Sequence, residues 1–181
     1  MQKLLVHVCC GPCFVAPYYH LRENDFRIYG YWYNPNIHPY TEYRKRYQTL
    51  KDFTESENIP MIEDDDYDLA GFLRNISYRE SKRCLLCYQL RLTAAARIAK
   101  KGKFDAFTTT LLYSKFQHHE LIKEVGYALE AEYGIPFHYE DFRQYWKEGI
   151  ELSKEKEMYR QQYCGCIYSE YERYKNDSIE R

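Results

Sequence analysis

Long hydrophobic runs are missing from this chain. The opening MQKLLVHVCC holds one short apolar stretch before it turns to cysteine, glycine and proline, which excludes a membrane anchor and does not suit a signal peptide. A cytoplasmic protein with no membrane partner is therefore expected. Net charge is also nearly missing, because 26 Lys and Arg meet 27 Asp and Glu to leave −1. No global field can attract a polyanion, so any nucleic-acid surface must be built from local clusters of cations. Repeats, low-complexity tracts and linkers are absent, and 181 residues suffice to bury a core without disulfide staples. One domain over 1–181 follows. An even cysteine count is missing too. The seven thiols fall into CCGPC, CxxC and CGC, which in a reducing compartment reads as metal or redox chemistry and not as a disulfide framework. Tyrosine, by contrast, is abundant at 21 copies, and most of these rings serve as ordinary core and surface filler.

Strand and helix patterns alternate along the chain. Leu4 to Val8 reads as a buried strand that delivers its end to the Cys-Gly-Pro loop, followed by a helix from Phe14 to about Arg22. Phe26 to Tyr33 is a second strand, closed by Asn34-Pro35-Asn36 and His38-Pro39. Tyr43, Tyr47, Leu50 and Phe53 recur at helical spacing, predicting a helix over Thr41 to Glu57 with Arg44, Lys45 and Arg46 near its start. Ile59 to Ile62 is a short strand, the acidic run Glu63 to Asp66 a solvated loop, and Asp68 to Ile76 and Cys84 to Lys101 are helices. Phe104 to Thr110 returns to strand. Ser114 to Gln117 has the form of a capping box opening a helix through Ala131, and Pro136 to Tyr139 is the last strand. A final helix runs from Glu151 to Tyr163 and stops at Gly165. The alternation predicts an α/β fold with a mostly parallel open sheet wrapped by helices, and sites in such sheets form beyond the strand C-termini. Cys9, Cys10 and Cys13 belong to that edge.

Cys84 and Cys87, three apart at a helix start, can turn both sulfurs one way and share a metal or cluster. Cys164 and Cys166 straddle a glycine that lets backbone bend closely around an ion. Adjacent Cys9 and Cys10, leaving a strand, are expected to point to opposite sides and serve two centres. Soft thiolates select zinc, copper(I) or iron–sulfur, and four suffice for structural zinc, so seven favour iron–sulfur. Zinc and metal-free redox thiols are the alternatives. Cys10-Gly11-Pro12-Cys13 matches the thioredoxin tetrad, but a thioredoxin needs a strand and a helix before its motif-bearing strand, and only nine residues precede Cys10.

Taken together, His7-Val8-Cys9-Cys10-Gly11-Pro12-Cys13, Tyr33-Asn34-Pro35-Asn36-Ile37-His38-Pro39 with Glu42-Tyr43 and Arg46, Arg83-Cys84-Leu85-Leu86-Cys87-Tyr88 with Arg91-Leu92, Thr109-Thr110-Leu111, and Tyr159-Arg160-Gln161-Gln162-Tyr163-Cys164-Gly165-Cys166 make a chain that resembles the QueH family, the cobalamin-independent epoxyqueuosine reductases. The resemblance spans nearly the whole sequence. It implies a single QueH-like metalloenzyme domain with an adenine-nucleotide α-hydrolase-like (HUP or PP-loop-like) fold. It also implies reduction of epoxyqueuosine to queuosine at the tRNA wobble position. Relatives of that fold bind ATP through a glycine- and serine-rich loop after the first strand. Here that loop is CCGPC, so no ATP is expected.

From these readings a [4Fe-4S] cluster and an additional mononuclear iron are expected. Cys10, Cys84, Cys87 and one of Cys164 or Cys166 would hold the cluster, and Cys9, Cys13 and the remaining cysteine the lone iron. Proton donors are sought among Tyr33, His38, Lys115, His118 and His119. Substrate contacts are sought at Asn34, Asn36, Arg46, Arg83, Arg91 and Lys115, with Arg44 and Lys45 as further cations, and Tyr33 or Trp32 as rings against which a splayed base could rest. The partners are tRNA bearing epoxyqueuosine and an electron donor that the sequence does not identify. A zinc-stabilised RNA-binding module without catalysis and a CGPC dithiol oxidoreductase are the competing functions.

Overall fold

The computed structural model describes residues 1–177. In chain order its elements are β1 (Gln2–His7), α1 (Gly11–Glu23), β2 (Phe26–Trp32), α2 (Tyr40–Ser56), β3 (Met61–Glu63), α3 (Leu69–Ile76), α4 (Arg83–Lys101), β4 (Ala106–Thr109), α5 (His119–Tyr133), α6 (Trp146–Glu155) and α7 (Ile167–Tyr174). Short 3-10 turns occupy Glu80–Lys82, Thr110–Tyr113 and Phe142–Tyr145. The four strands form one sheet in the order β3-β2-β1-β4, and every pairing is parallel, with Leu4 set between Ile28 and Ala106.

Consecutive Leu4, Leu5 and Val6 are all fully buried, as a central parallel strand covered on both faces requires. Helix α1 packs on β2, α2 and α6, while α4 packs on β1, β4 and α5. The expected α/β architecture, an open parallel sheet wrapped by helices, is thus the one found. All four strands point the same way, so the segments leaving β1, β2 and β4 emerge at one edge.

Three expected elements differ. Ser114 does not cap α5, which starts five residues later at His119: the Ser114 hydroxyl accepts from the Phe116 amide in a local turn, and Gln117 turns away to a sulfur. Pro136 to Tyr139 makes only a single parallel bridge, Phe107 to Phe137, because the chain leaves the sheet edge at once. The last long helix ends at Glu155, eight residues before Tyr163. The chain then runs irregularly past the CGC motif and re-forms as α7, since its polar groups from Tyr159 onward are taken up by α2 and the 34–38 loop. No helix among the described residues is long and apolar enough to cross a membrane.

Candidate metal centre

The sheet edge gathers its first sulfurs through the turn that joins β1 to α1. Strand pairing ends at His7, Cys10 becomes the N-cap of α1, and Cys13 lies in its first turn. The alternation expected of a strand no longer holds there. Cys9 and Cys10 do not diverge: their sulfurs are 3.9 Å apart, and those of Cys9, Cys10 and Cys13 all lie within 4.8 Å of one another. All three are free thiols. Hydrogen bonds from Cys10 and Cys13 hold Cys9 well below the usual thiol range, with Thr110 and Arg91 acting the same way. Burial pushes Cys10 up, and its bonds with Cys10 and Cys9 push Cys13 up. The hydrogen bonds among the three sulfurs thus favour negative charge on Cys9. The N-terminus of α1, which no side chain caps, favours that charge.

The other four cysteines form a neighbouring group. Cys84 and Cys87 stand one turn apart at the start of α4, and Cys164 and Cys166 come from the irregular segment before α7. Burial pushes Cys87 up to about 12, and the charges of Cys164, Cys166 and Cys84 act in the same direction. Cys166 packs with Tyr168 against Phe72, Ile76 and Cys87. Between the two groups lies Arg91, buried, whose charge acts on Cys87, Cys164 and Cys9 and whose second terminal nitrogen has no hydrogen-bond partner.

The NPNIHP loop and α2 hold the CGC segment in place. Arg46 is 2% exposed; its Nε donates to Glu42 at 2.7 Å and its two terminal nitrogens donate to the carbonyls of Cys164 (2.7 Å) and Tyr163 (3.0 Å). Tyr159 donates to the other oxygen of Glu42. The His38 amide donates to Gly165, His38 Nδ1 accepts from the Ile167 amide, and Tyr163 donates to the His38 carbonyl. A Cβ on Gly165 would stand 3.2 Å from Asn36 Nδ2 and 3.4 Å from Ile37 Cγ1, so a larger residue there would push the two loops apart by a few tenths of an ångström. Asn34 donates to the Val8 carbonyl at 2.9 Å.

Several expected roles are thereby corrected. Arg46 and Arg91 are buried, Arg46 on the Cys164 and Tyr163 carbonyls and Arg91 on the Cys87 carbonyl and Asn34, so neither offers a surface contact to a phosphate. Asn34 and Asn36 are buried in the loop packing. His38 uses both ring nitrogens, Nε2 donating to the Pro35 carbonyl and Nδ1 accepting from the Ile167 amide, and burial lowers its pKa, so the ring is engaged with backbone. Tyr33 lines a cleft with Asn75, Leu90 and Arg97 that no cysteine borders. Trp32 is fully buried with its indole N–H on Tyr43, so it cannot receive a base. His119 is buried against Tyr139, whereas His118, Lys115 and, in part, Arg83 are open to solvent. His7 is packed, and burial with the Arg91 charge lowers it to about 3.

Sequence reasoning missed the amide donors to sulfur. Gln161 Nε2 lies 2.9 Å from Cys10 Sγ and 3.4 Å from Cys13 Sγ, Gln117 Nε2 lies 3.0 Å from Cys164 Sγ, and the Thr110 hydroxyl lies 3.3 Å from Cys9 Sγ. The position of Gln161 three residues before Cys164 was the one available signal. The converging Cys9, Cys10 and Cys13 sulfurs, with the Gln161 amide and the Thr110 hydroxyl aimed at them, are a donor set that could hold a metal ion.

A family model described as epoxyqueuosine reductase QueH matches residues 4–172. Curated relatives bearing that description include one from Dehalococcoides mccartyi, 35% identical over 172 residues that span 95% of this chain and 94% of the relative. Another, from Thermotoga maritima, is 35% identical over 182 residues, covering 96% of this chain and 93% of its own. Among solved structures, a predicted subunit of a tRNA methyltransferase from Methanocaldococcus jannaschii superposes with a TM-score of 0.60 at 11% identity, over 86% of this chain and 75% of the other, a likeness of fold alone.

Proposed function

The chain belongs to the epoxyqueuosine reductase QueH family, and from that premise we propose that it reduces the epoxide of epoxyqueuosine at the tRNA wobble position to the alkene of queuosine. The epoxide oxygen leaves as water, and two electrons and two protons are consumed. Residues 1–181 act as one metalloenzyme unit in this reading, with electrons delivered by an external donor and no requirement for ATP.

The observation that carries it is the meeting of Cys9, Cys10 and Cys13 within 4.8 Å beside four further thiols at one sheet edge. Cys84, Cys87, Cys164 and Cys166 are assigned to a [4Fe-4S] cluster, and the trio to a mononuclear iron. Cys10 moves to the second set because its sulfur faces Cys9 and Cys13. When bound, such a pair of centres supplies single electrons and a Lewis acid for the epoxide oxygen. The protein's part is to hold thiolates. Gln161, Gln117 and Thr110 orient the sulfurs, Arg91 offsets their charge, and Arg46 fixes the loop carrying Cys164 and Cys166. Solvent-open His118 and Lys115 are the proton donors this reading keeps. A dithiol oxidoreductase fits poorly, because the attacking thiol of its tetrad would be Cys10, which is buried and pushed up.

The test is anaerobic reconstitution with metal analysis. The loaded protein should be coloured, with iron exceeding sulfide by about one per chain. Cys84→Ser should bleach it, while Cys9→Ser should keep most colour and lose epoxide reduction. A colourless zinc protein that still bound tRNA would favour the RNA-binding module, and iron equal to sulfide in fully active protein would remove the second centre.

A further inference from the structure

Among the described residues, two clefts are lined in part by cysteines. One, of about 150 Å³, touches Cys13 beside Trp146 and is too small for a nucleotide. The other, of about 650 Å³, lies between the N-terminal ends of α4 and α5 and has Cys84 in its wall. Its remaining lining is cationic in character. Lys82 is exposed and in no ion pair among the described residues. Arg83 and Arg143 each meet one carboxylate, Glu172 and Asp141, and keep other donors. The one carboxylate in the wall, Glu120, is paired with Lys123.

Backbone adds to this. Neither α4 nor α5 has a side-chain N-cap, so both helices bring the positive end of their dipoles to the same space, and the first-turn amides of α5 lack intrahelical acceptors. Two buried side-chain atoms bordering the cleft also have no protein partner, His119 Nδ1 and Arg83 Nε. Cations, helix ends and unpaired donors around a nucleotide-sized space favour a phosphate-bearing ligand.

We propose that this cleft seats one nucleotide of the RNA substrate, its phosphate held by Lys82, Arg83, Arg143 and the two helix ends. The assignment rests on the reductase reading and gives it a docking surface. It also accounts for how a chain of net charge −1 holds a polyanion: the cations needed are concentrated at one opening.

Binding of a fluorescently labelled anticodon stem-loop RNA to the full, metal-loaded chain, titrated across salt concentrations, tests it. Lys82→Glu with Arg143→Glu should weaken binding about tenfold or more and flatten the salt dependence by roughly one to two charges. A matched reversal at the far end of α4, Lys100→Glu with Lys101→Glu, should leave affinity within about twofold. Lys82→Glu alone, at an exposed and unpaired position, should show the same trend if Arg143→Glu disturbs Asp141. Equal losses in both pairs, or none at the cleft, would overturn the assignment. Wild-type protein that binds no RNA would instead bring down the reductase reading itself, and wild-type colour and turnover with unaffected cleft variants would overturn the cleft alone.

Discussion

An arginine near the start of an amphipathic helix, with two more cations beside it, reads as a solvent-facing charge, and Arg44 and Lys45 are exposed as that reading requires. Arg46 points the other way. One turn from Glu42, it closes a buried ion pair and spends its remaining donors on the CGC loop. Removing one partner of such a pair leaves an uncompensated buried charge, so Arg46→Met should cost about 3–5 kcal/mol in urea unfolding. Adding Glu42→Leu should recover much of that loss. An unchanged midpoint in the single variant would mean that the pair does not hold the loop. Which residues were legible follows from the same contrast. The cysteines declared themselves by type and spacing, whereas Gln117 and Gln161 carry no pattern, since a carboxamide beside sulfur is fixed by long-range packing. His38 reads as an acid–base group for its chemistry, yet it serves as a hydrogen-bonded pin because both nitrogens meet backbone.

At the level of elements, periodicity located α2 and α4 to within a residue or so, because each carries a clear apolar stripe over several turns. Boundaries failed where side chains bond outside their own element. Ser114 and Gln117 have capping-box chemistry, but a sulfur competes successfully for the glutamine. The terminal segment failed for the same reason: the residues before Cys164 are irregular because α2 draws their polar groups away from helix formation. The Phe107–Phe137 bridge is backed by α5, on which Gly126 lies against the Phe137 ring. A Cβ at Gly126 would fall 2.2 Å from Phe137 Cε1, so Gly126→Ala must displace the ring or the helix. The expected cost is about 1–3 kcal/mol, read by thermal unfolding, with the metal site intact by colour. A neutral or stabilising result would show that Phe137 is loosely seated.

Over the whole molecule, the site ties together pieces that the sheet does not. Helix α7 has no buried residue of its own, and it is joined to the rest through the CGC loop, His38, the packing of Tyr168 near Phe72 and Ile76, and the Arg83–Glu172 pair. A bound metal should therefore stabilise this region far more than β1 or β2. Removing it by anaerobic chelation should speed amide exchange across residues 157–177 while the central strands stay protected. Uniform loss of protection would mean that the metal supports the entire fold. The strand order has a consequence in time as well. β1 is synthesised about a hundred residues ahead of its neighbour β4, and its cysteines some 150 residues ahead of Cys164 and Cys166, so a growing chain carries exposed thiols long before their companions exist. On the proposed assignment, a cluster shared by Cys84, Cys87, Cys164 and Cys166 can form only after residue 166 has been made, and the nascent CCGPC segment is the stretch that the cell's reductants and chaperones have to guard in the interval.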